Sequence, residues 1–208
     1  CVCSLSFLHA ERVDMQQAGA DIQGRKLNTA LINSTIDRLN ANGGGTLFFP
    51  AGTYLTGSIH MKSNITLHLE SGAIVRFSDR FEDYLPFVTA RWEGTVMQTL
   101  SPLIYAHSAD NLTITGRGTL DGNGLKWWLW EFETRKVIKE NGGKLPSLDK
   151  LQQMWVDANK DLEISDYYKP SLERKMFRPP FIQFYECTNI LIENVKIINS
   201  PFWTVNPA

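Results

Sequence analysis

The sequence is short of the features that most often announce a function. It holds only three cysteines, and two of them, Cys1 and Cys3, sit at the very start. With Cys187 the only other thiol, no disulfide framework is the basis of the fold. Neither sign of charge dominates, at 21 Lys and Arg against 22 Asp and Glu. That removes the basic excess expected of a nucleic-acid partner and the acidic tail of a solvating region. No apolar run approaches the ~18–20 residues of a membrane-spanning helix, so no membrane span is expected. His9, His60, His68 and His107 lack the spacing of metal ligands. No Gly-x-Ser-x-Gly elbow is present, and Gly43–Gly45 lacks the Lys of a phosphate loop. No metal or cofactor is expected.

What is present is a 43% hydrophobic composition over 208 residues, enough for one sizeable core. Val2, Leu5, Phe7 and Leu8 form a short apolar stretch that ends at Ala10, before the polar Glu11 and Arg12. This reads as the tail of a secretory signal peptide, with an ordinary N-terminal strand as the alternative. The expected organisation is a signal-peptide remnant at 1–10 and one domain over 11–208, in a secreted or periplasmic protein.

Three segments share a cadence: Ile59 to Phe77, Leu103 to Gly124 and Phe181 to Pro201. Each has a short alternating strand, a polar turn at Asn64, Asn111 or Asn189, and a second alternating strand. Period-two alternation bounded by Asn, Gly and Ser marks half-buried strands. Asn tolerates the left-handed backbone of a tight turn. The last two segments overlay without a gap, placing Leu103 on Phe181, Ile104 on Ile182, Ile114 on Ile192 and Leu120 on Ile198. A coil of this kind buries its inner face only by stacking on neighbours, which predicts an all-β solenoid. An antiparallel sandwich is the rival, and the gapless match favours the solenoid. The step from Asn64 to Asn111 fits two coils of ~20–25 residues each.

Thr29 to Asn40 places Leu31, Ile32, Ile36 and Leu39 at helical spacing, ended by Gly43–Gly45. It is predicted to be a helix capping the open end of the solenoid. The cadence breaks over about 125–179, which holds Trp127, Trp128, Trp130 and Trp155. Ser147 is the expected cap of a helix over Leu148 to Asn159. So long an excursion reads as a helical insertion on the binding face, one that could close an end of a groove.

Three strings carry a family likeness. Gly43 to Ala73 (GGGTLFFPAGTYLTGSIHMKSNITLHLESGA), Gly116 to Gly124 (GRGTLDGNG) and Arg178 to Pro207 (RPPFIQFYECTNILIENVKIINSPFWTVNP) occur in this order. Together they resemble the polygalacturonases, pectin-degrading glycoside hydrolases, and NSPFWTVNP is the most specific part. The resemblance implies a right-handed parallel β-helix and inverting hydrolysis of galacturonic-acid linkages. An inverting site needs a carboxylic acid and a carboxylate base ~6.5–9.5 Å apart. In this family they lie in an Asn-Thr-Asp motif and an Asp-Asp pair, followed by Gly-His-Gly and Arg-Ile-Lys. None of these four strings occurs here. The catalytic aspartates are therefore expected beyond the end of this chain, and the chain alone is expected to be inactive.

Other carboxylates are read as structure. Asp121, before Gly122, is a turn residue. Asp79, Glu82 and Asp83 belong to a solvated loop, and Glu131 and Glu133 do not share a helix face. His60 and His68 are read as exposed strand positions. The binding candidates are Arg178, as a bidentate partner for a uronate, and Trp203 and Asn206, placed on the groove side by the family likeness. The expected partner is a pectin-type polysaccharide or oligogalacturonide. The alternatives are a non-catalytic β-helix that only binds carbohydrate and a polysaccharide lyase on the same fold.

Overall fold

The computed structural model describes residues 11–92, 94–162 and 178–208. Along the chain come β1 (Glu11–Asp14), α1 (Thr29–Ala41), β2 (Gly45–Phe49), β3 (Gly52–Thr56), β4 (Ile59–His60), β5 (Ile65–Leu69) and β6 (Ala73–Phe77). There follow β7 (Val88–Trp92), β8 (Thr95–Thr99), β9 (Ile104–His107), β10 (Asp110–Gly116), β11 (Thr119–Asp121), α2 (Leu125–Glu140) and α3 (Lys150–Ala158). The last elements are β12 (Ile182–Tyr185), β13 (Thr188–Ile192) and β14 (Lys196–Ile198). The expected signal-peptide remnant, 1–10, lies outside the described residues, as does part of the 125–179 insertion.

Three parallel sheets run the length of the stack. Sheet A has the order β1-β2-β5-β10-β13, sheet B the order β14-β11-β6-β3 and sheet C the order β12-β9-β4. The chain visits C, A and B in turn, as β4-β5-β6, β9-β10-β11 and β12-β13-β14. Among the described residues the β7–β8 hairpin is the one antiparallel pairing. Successive turns lying in parallel register are a β-helix, and a sandwich is excluded.

The corner between sheets C and A explains the asparagines. Asn64, Asn111 and Asn189 take φ of 63°, 58° and 53°, a conformation short polar side chains reach at low cost. Their carboxamides stack: Asn111 Nδ2 donates to Asn64 Oδ1 at 2.7 Å, and Asn189 Nδ2 donates to Asn111 Oδ1. Asn64 and Asn111 are therefore neighbours in adjacent coils, and β10 pairs directly with β5. The interval between them is one coil carrying an excursion, not two coils. At the next corner Gly116 takes φ of 117°, and a Cβ there would stand 2.0 Å from the Leu69 carbonyl oxygen. Only glycine fits so close an approach.

Inside, like residues stack from coil to coil. Leu47 pairs with Leu67, Leu67 with Ile114 and Ile114 with Ile192. Ile59, Ile104 and Ile182 form the corresponding column of sheet C. Each fully buried aliphatic side chain contributes roughly 1.5–3 kcal/mol. The Ile104–Ile182 and Ile114–Ile192 matches hold in register, but Leu120 pairs with Ile197, not Ile198. The reason is a shorter corner: Thr115–Gly118 in one coil is replaced by Glu193–Val195 in the next. Helix α1 buries Ile32, Ile36 and Leu39 on the core, and the positive-φ Gly43 and Gly44 turn the chain out of it.

Both long excursions leave at the same corner, between sheet B and sheet C. The first carries β7 and β8; the second carries α2 and α3. Trp127 anchors α2: it is fully buried and stacks on Phe81 with centroids 4.2 Å apart. The cap of α3 is Asp149 rather than Ser147. Asp149 Oδ1 accepts from the Gln152 amide at 2.8 Å and Gln152 Oε1 accepts from the Asp149 amide at 3.0 Å. A Gln three residues after the cap makes the reciprocal pair, which Ser147 cannot.

Candidate active-site face

The outward side chains of sheet C form two columns. His60, Tyr105 and Gln183 are in register in the first, and His107 and Tyr185 in the second. A parallel bridge from Ile182 to Val205 adds a fourth row, with the Asn206 amide donating to the Ile182 carbonyl at 2.9 Å. Because Ile182 faces the core, alternation sets Asn206 outward and level with Gln183. The first column thus runs from His60 to Asn206.

Most of that column is covered. Hairpin β7–β8 lies over it, with Tyr105 7% exposed and Gln183 fully buried. Tyr105 Oη donates to the Thr89 carbonyl at 2.6 Å, and burial pushes its phenol pKa up to about 12, so the proton stays in place. Gln183 Nε2 donates to the Arg91 carbonyl at 2.7 Å, and its Oε1 accepts from the Arg91 amide at 3.1 Å. His60 and His68 are half-buried rather than exposed. His60 Nε2 lies 3.1 Å from Ser101 Oγ, and burial lowers its pKa.

Beside the hairpin the binding candidates come together. Arg178 Nη1 donates to the Pro201 carbonyl at 3.0 Å and its guanidinium lies over the Phe202 ring, 5.0 Å from the centroid. Phe202 stacks on Trp203 at 4.7 Å and on Trp92 of β7 at 5.8 Å. Trp203 is 41% exposed. Arg178 and Trp203 are therefore joined through Phe202, while Asn206 stands on the strand row that Trp203 begins. Sequence reasoning missed Gln183, Tyr105 and Phe202. The offset that lays Ile104 on Ile182 also lays Tyr105 on Gln183, a polar residue between two core positions, and that was the available signal.

Among the described residues, Asp121, Asp83 and Glu131 each have a side-chain partner. Asp121 is buried and accepts from Asn199 Nδ2 at 2.8 Å, Asn123 N–H at 3.1 Å and Arg76 Nε at 3.0 Å. Burial pushes its pKa up, but these bonds outweigh it, Asn199 foremost, and hold the carboxyl below the usual range. A general acid needs the opposite shift. Asp121 is the last residue of β11 rather than a turn residue; it braces the following turn through the Asn123 amide and ties the LDGNG and NSPFW strings together through Asn199. Asp83 is half-buried and accepts from Ser78 Oγ, so it is not simply solvated. Glu131 is buried and pairs with Arg135 at 2.6 Å. Among the described residues no three His, Cys, Asp or Glu side chains converge on a metal position, and no helix is long and apolar enough to cross a membrane.

Stacked parallel coils and a strand face bordered by excursions, with an aromatic and arginine patch beside it, define a parallel β-helix. The model of the glycosyl hydrolases family 28 matches residues 43–200, most of the chain, and the chain belongs to that family. A probable polygalacturonase of Vitis vinifera is 28% identical over 194 residues, 89% of this chain and 32% of that protein. An exo-poly-alpha-D-galacturonosidase of Dickeya chrysanthemi is 31% identical over 121 residues, 55% of this chain and 20% of that protein. Among solved structures, a hyperthermoactive exopolygalacturonase from Thermotoga maritima gives a TM-score of 0.72 at 36% identity, over 95% of this chain and 44% of that one. The chain thus spans about a third or less of the curated relatives and under half of that structure.

Proposed function

We propose that these residues are the N-terminal coils of a polygalacturonase-like glycoside hydrolase that cleaves galacturonic-acid linkages in pectin with inversion. Helix α1 serves as the cap of the stack, and the protein works outside the cytoplasm, secreted or periplasmic. The family match over residues 43–200 carries the reading. The sheet C face supports it: its fourth row, Trp203 to Asn206, is where further coils would extend the same surface. The catalytic aspartates belong to those coils, in the Asn-Thr-Asp and Asp-Asp motifs that the resemblance implies. Arg178, Trp203 and Asn206 then act on substrate. The guanidinium pairs with a uronate carboxylate, the indole packs against a sugar face, and the Asn206 carboxamide bonds a hydroxyl.

The test is release of reducing ends from polygalacturonate. The full-length protein is expected to release them and the 208-residue chain to release none above a blank. Clear release by the short chain would sink the placement of the catalytic pair. Binding without release by the full-length protein would favour the non-catalytic reading. A rise in ultraviolet absorbance from unsaturated products would identify a lyase.

A further inference from the structure

In the turn that carries the aromatic patch, every carbonyl from Ile198 to Thr204 accepts a hydrogen bond. The Gly122 and Gly124 amides bond the Ile198 and Asn199 carbonyls, both at 2.9 Å. Trp128 Nε1 donates to the Ser200 carbonyl at 2.9 Å, Arg178 Nη1 to that of Pro201 at 3.0 Å and Ser200 Oγ to that of Phe202 at 2.8 Å. The Phe181 and Ile182 amides bond the Trp203 and Thr204 carbonyls, at 2.8 and 3.1 Å. Backbone groups satisfied one after another leave the turn little freedom to shift. Trp128 is the donor that helix α2 supplies.

Trp128 is aimed at the turn by its neighbour. Trp127 is fully buried against Phe81 and Tyr84, and the next helical position points about 100° away from it. The helix start lies close against the turn: a Cβ on Gly124 would stand 2.6 Å from the Asn199 carbonyl oxygen and 2.9 Å from that of Ser200. Two residues beyond Ser200, Phe202 stacks on both Trp92 and Trp203, with centroids 5.8 and 4.7 Å away. The exposed indole of Trp203 is the surface of that stack open to a ligand. A shift of the Ser200 carbonyl is thus carried along the turn to the rings.

We propose that Trp128 is a positioning residue for carbohydrate binding: its indole N–H fixes the Ser200 carbonyl and so holds Trp203 in place to pack on a uronate ring. This rests on the hydrolase reading above and gives the Trp-rich helix a part in it. The N–H of Trp128 is committed to Ser200, so its effect passes through the turn. A loosened turn has to be ordered when substrate binds, and that cost falls on affinity rather than on the chemical step.

The experiment uses the full-length protein and Trp128→Phe, which keeps an aromatic ring and removes the donor, alone and combined with Trp203→Ala. In Trp128→Phe, KM for oligogalacturonides is expected to rise about threefold to tenfold with kcat little changed, the size of one lost hydrogen bond. With Trp203→Ala already present, the same change should add little, because the ring that carries its effect is gone. An unchanged KM, or a rise that adds in full to that of Trp203→Ala, would overturn the proposal while leaving the hydrolase reading intact. If Trp128→Phe fails to fold, benzothienylalanine at position 128, with sulfur in place of the N–H, goes through the same cycle and decides. No reducing ends from any galacturonan would overturn the hydrolase reading itself. The Kd of oligogalacturonides, measured by calorimetry in the same cycle, would then decide on Trp128, and no binding at all would overturn its role too.

Discussion

Asn111 is bonded on both sides, to Asn64 below and Asn189 above, while its own backbone sits at φ of 58°. Alanine at this position loses the ladder and takes on a left-handed conformation that costs an ordinary residue ~1–2 kcal/mol. The exposed ladder bonds add the lower end of ~0.5–1.5 kcal/mol each. Asn111→Ala is therefore expected to lose about 2 kcal/mol in urea unfolding, and Asn111→Gly less, because glycine keeps the turn. Equal losses would show that the backbone conformation is not what asparagine supplies. His60 gives a pH signature with a definite sign. Burial lowers its pKa from 6.5 in the folded chain, so below about pH 6.5 the unfolded chain binds more protons. Stability should be full above that pH and fall as the pH drops towards the folded pKa. His60→Asn should flatten the decline in Tm over this window, and an unchanged slope would remove His60 as its cause.

At the scale of the element, Trp127 is the fully buried anchor of α2. Trp127 enters the main core between Phe81 and Tyr84, while Leu125, Leu129 and Phe132 on the same helix remain exposed. Replacing a buried aromatic by alanine costs ~3–5 kcal/mol where the site cannot collapse. Trp127→Ala should lose stability in that range and speed proteolysis within Leu125–Glu140. A loss under about 1 kcal/mol, the size of an ordinary surface change, would mean that α2 is held elsewhere, for instance by the 2.9 Å bond from Trp128 Nε1 to the Ser200 carbonyl. The strands were legible because their period and the Asn corners recur without a gap. The first excursion was not. The β7–β8 hairpin is held by side-chain bonds from Gln183 and Asn159, residues 92 and 61 positions away from their partners, and no local pattern announces contacts so distant. The start of α3 was misplaced because Ser147 and Asp149 are both good caps; only the reciprocal Gln152 separates them.

For the molecule as a whole, the register of the stack was readable until a corner changed length. The offset from Ile114 to Ile192 could not reveal that the chain saves a residue at Asn194, whose φ of 60° turns the corner in fewer steps. The candidate site was legible only as far as Arg178, Trp203 and Asn206, because the covering hairpin that shapes it comes from another coil. One property belongs to the stack alone. Ile190 pairs with the fully buried Leu112 and faces the same inner side, yet it is 40% exposed, and Val205 is 50% exposed. Beyond them β13 and β14 are the outer strands of their sheets among the described residues. Inner apolar side chains beside an unpaired strand edge invite another chain to pair there. The 208-residue chain studied alone should therefore self-associate as its concentration rises, as read by sedimentation. Ile190→Lys places a charge on that inner face and should weaken the association, whereas Leu191→Lys, on the outer face, should leave it nearly unchanged. A monodisperse monomer at high concentration, or an equal response to both lysines, would show that the association surface is not the open end of the stack.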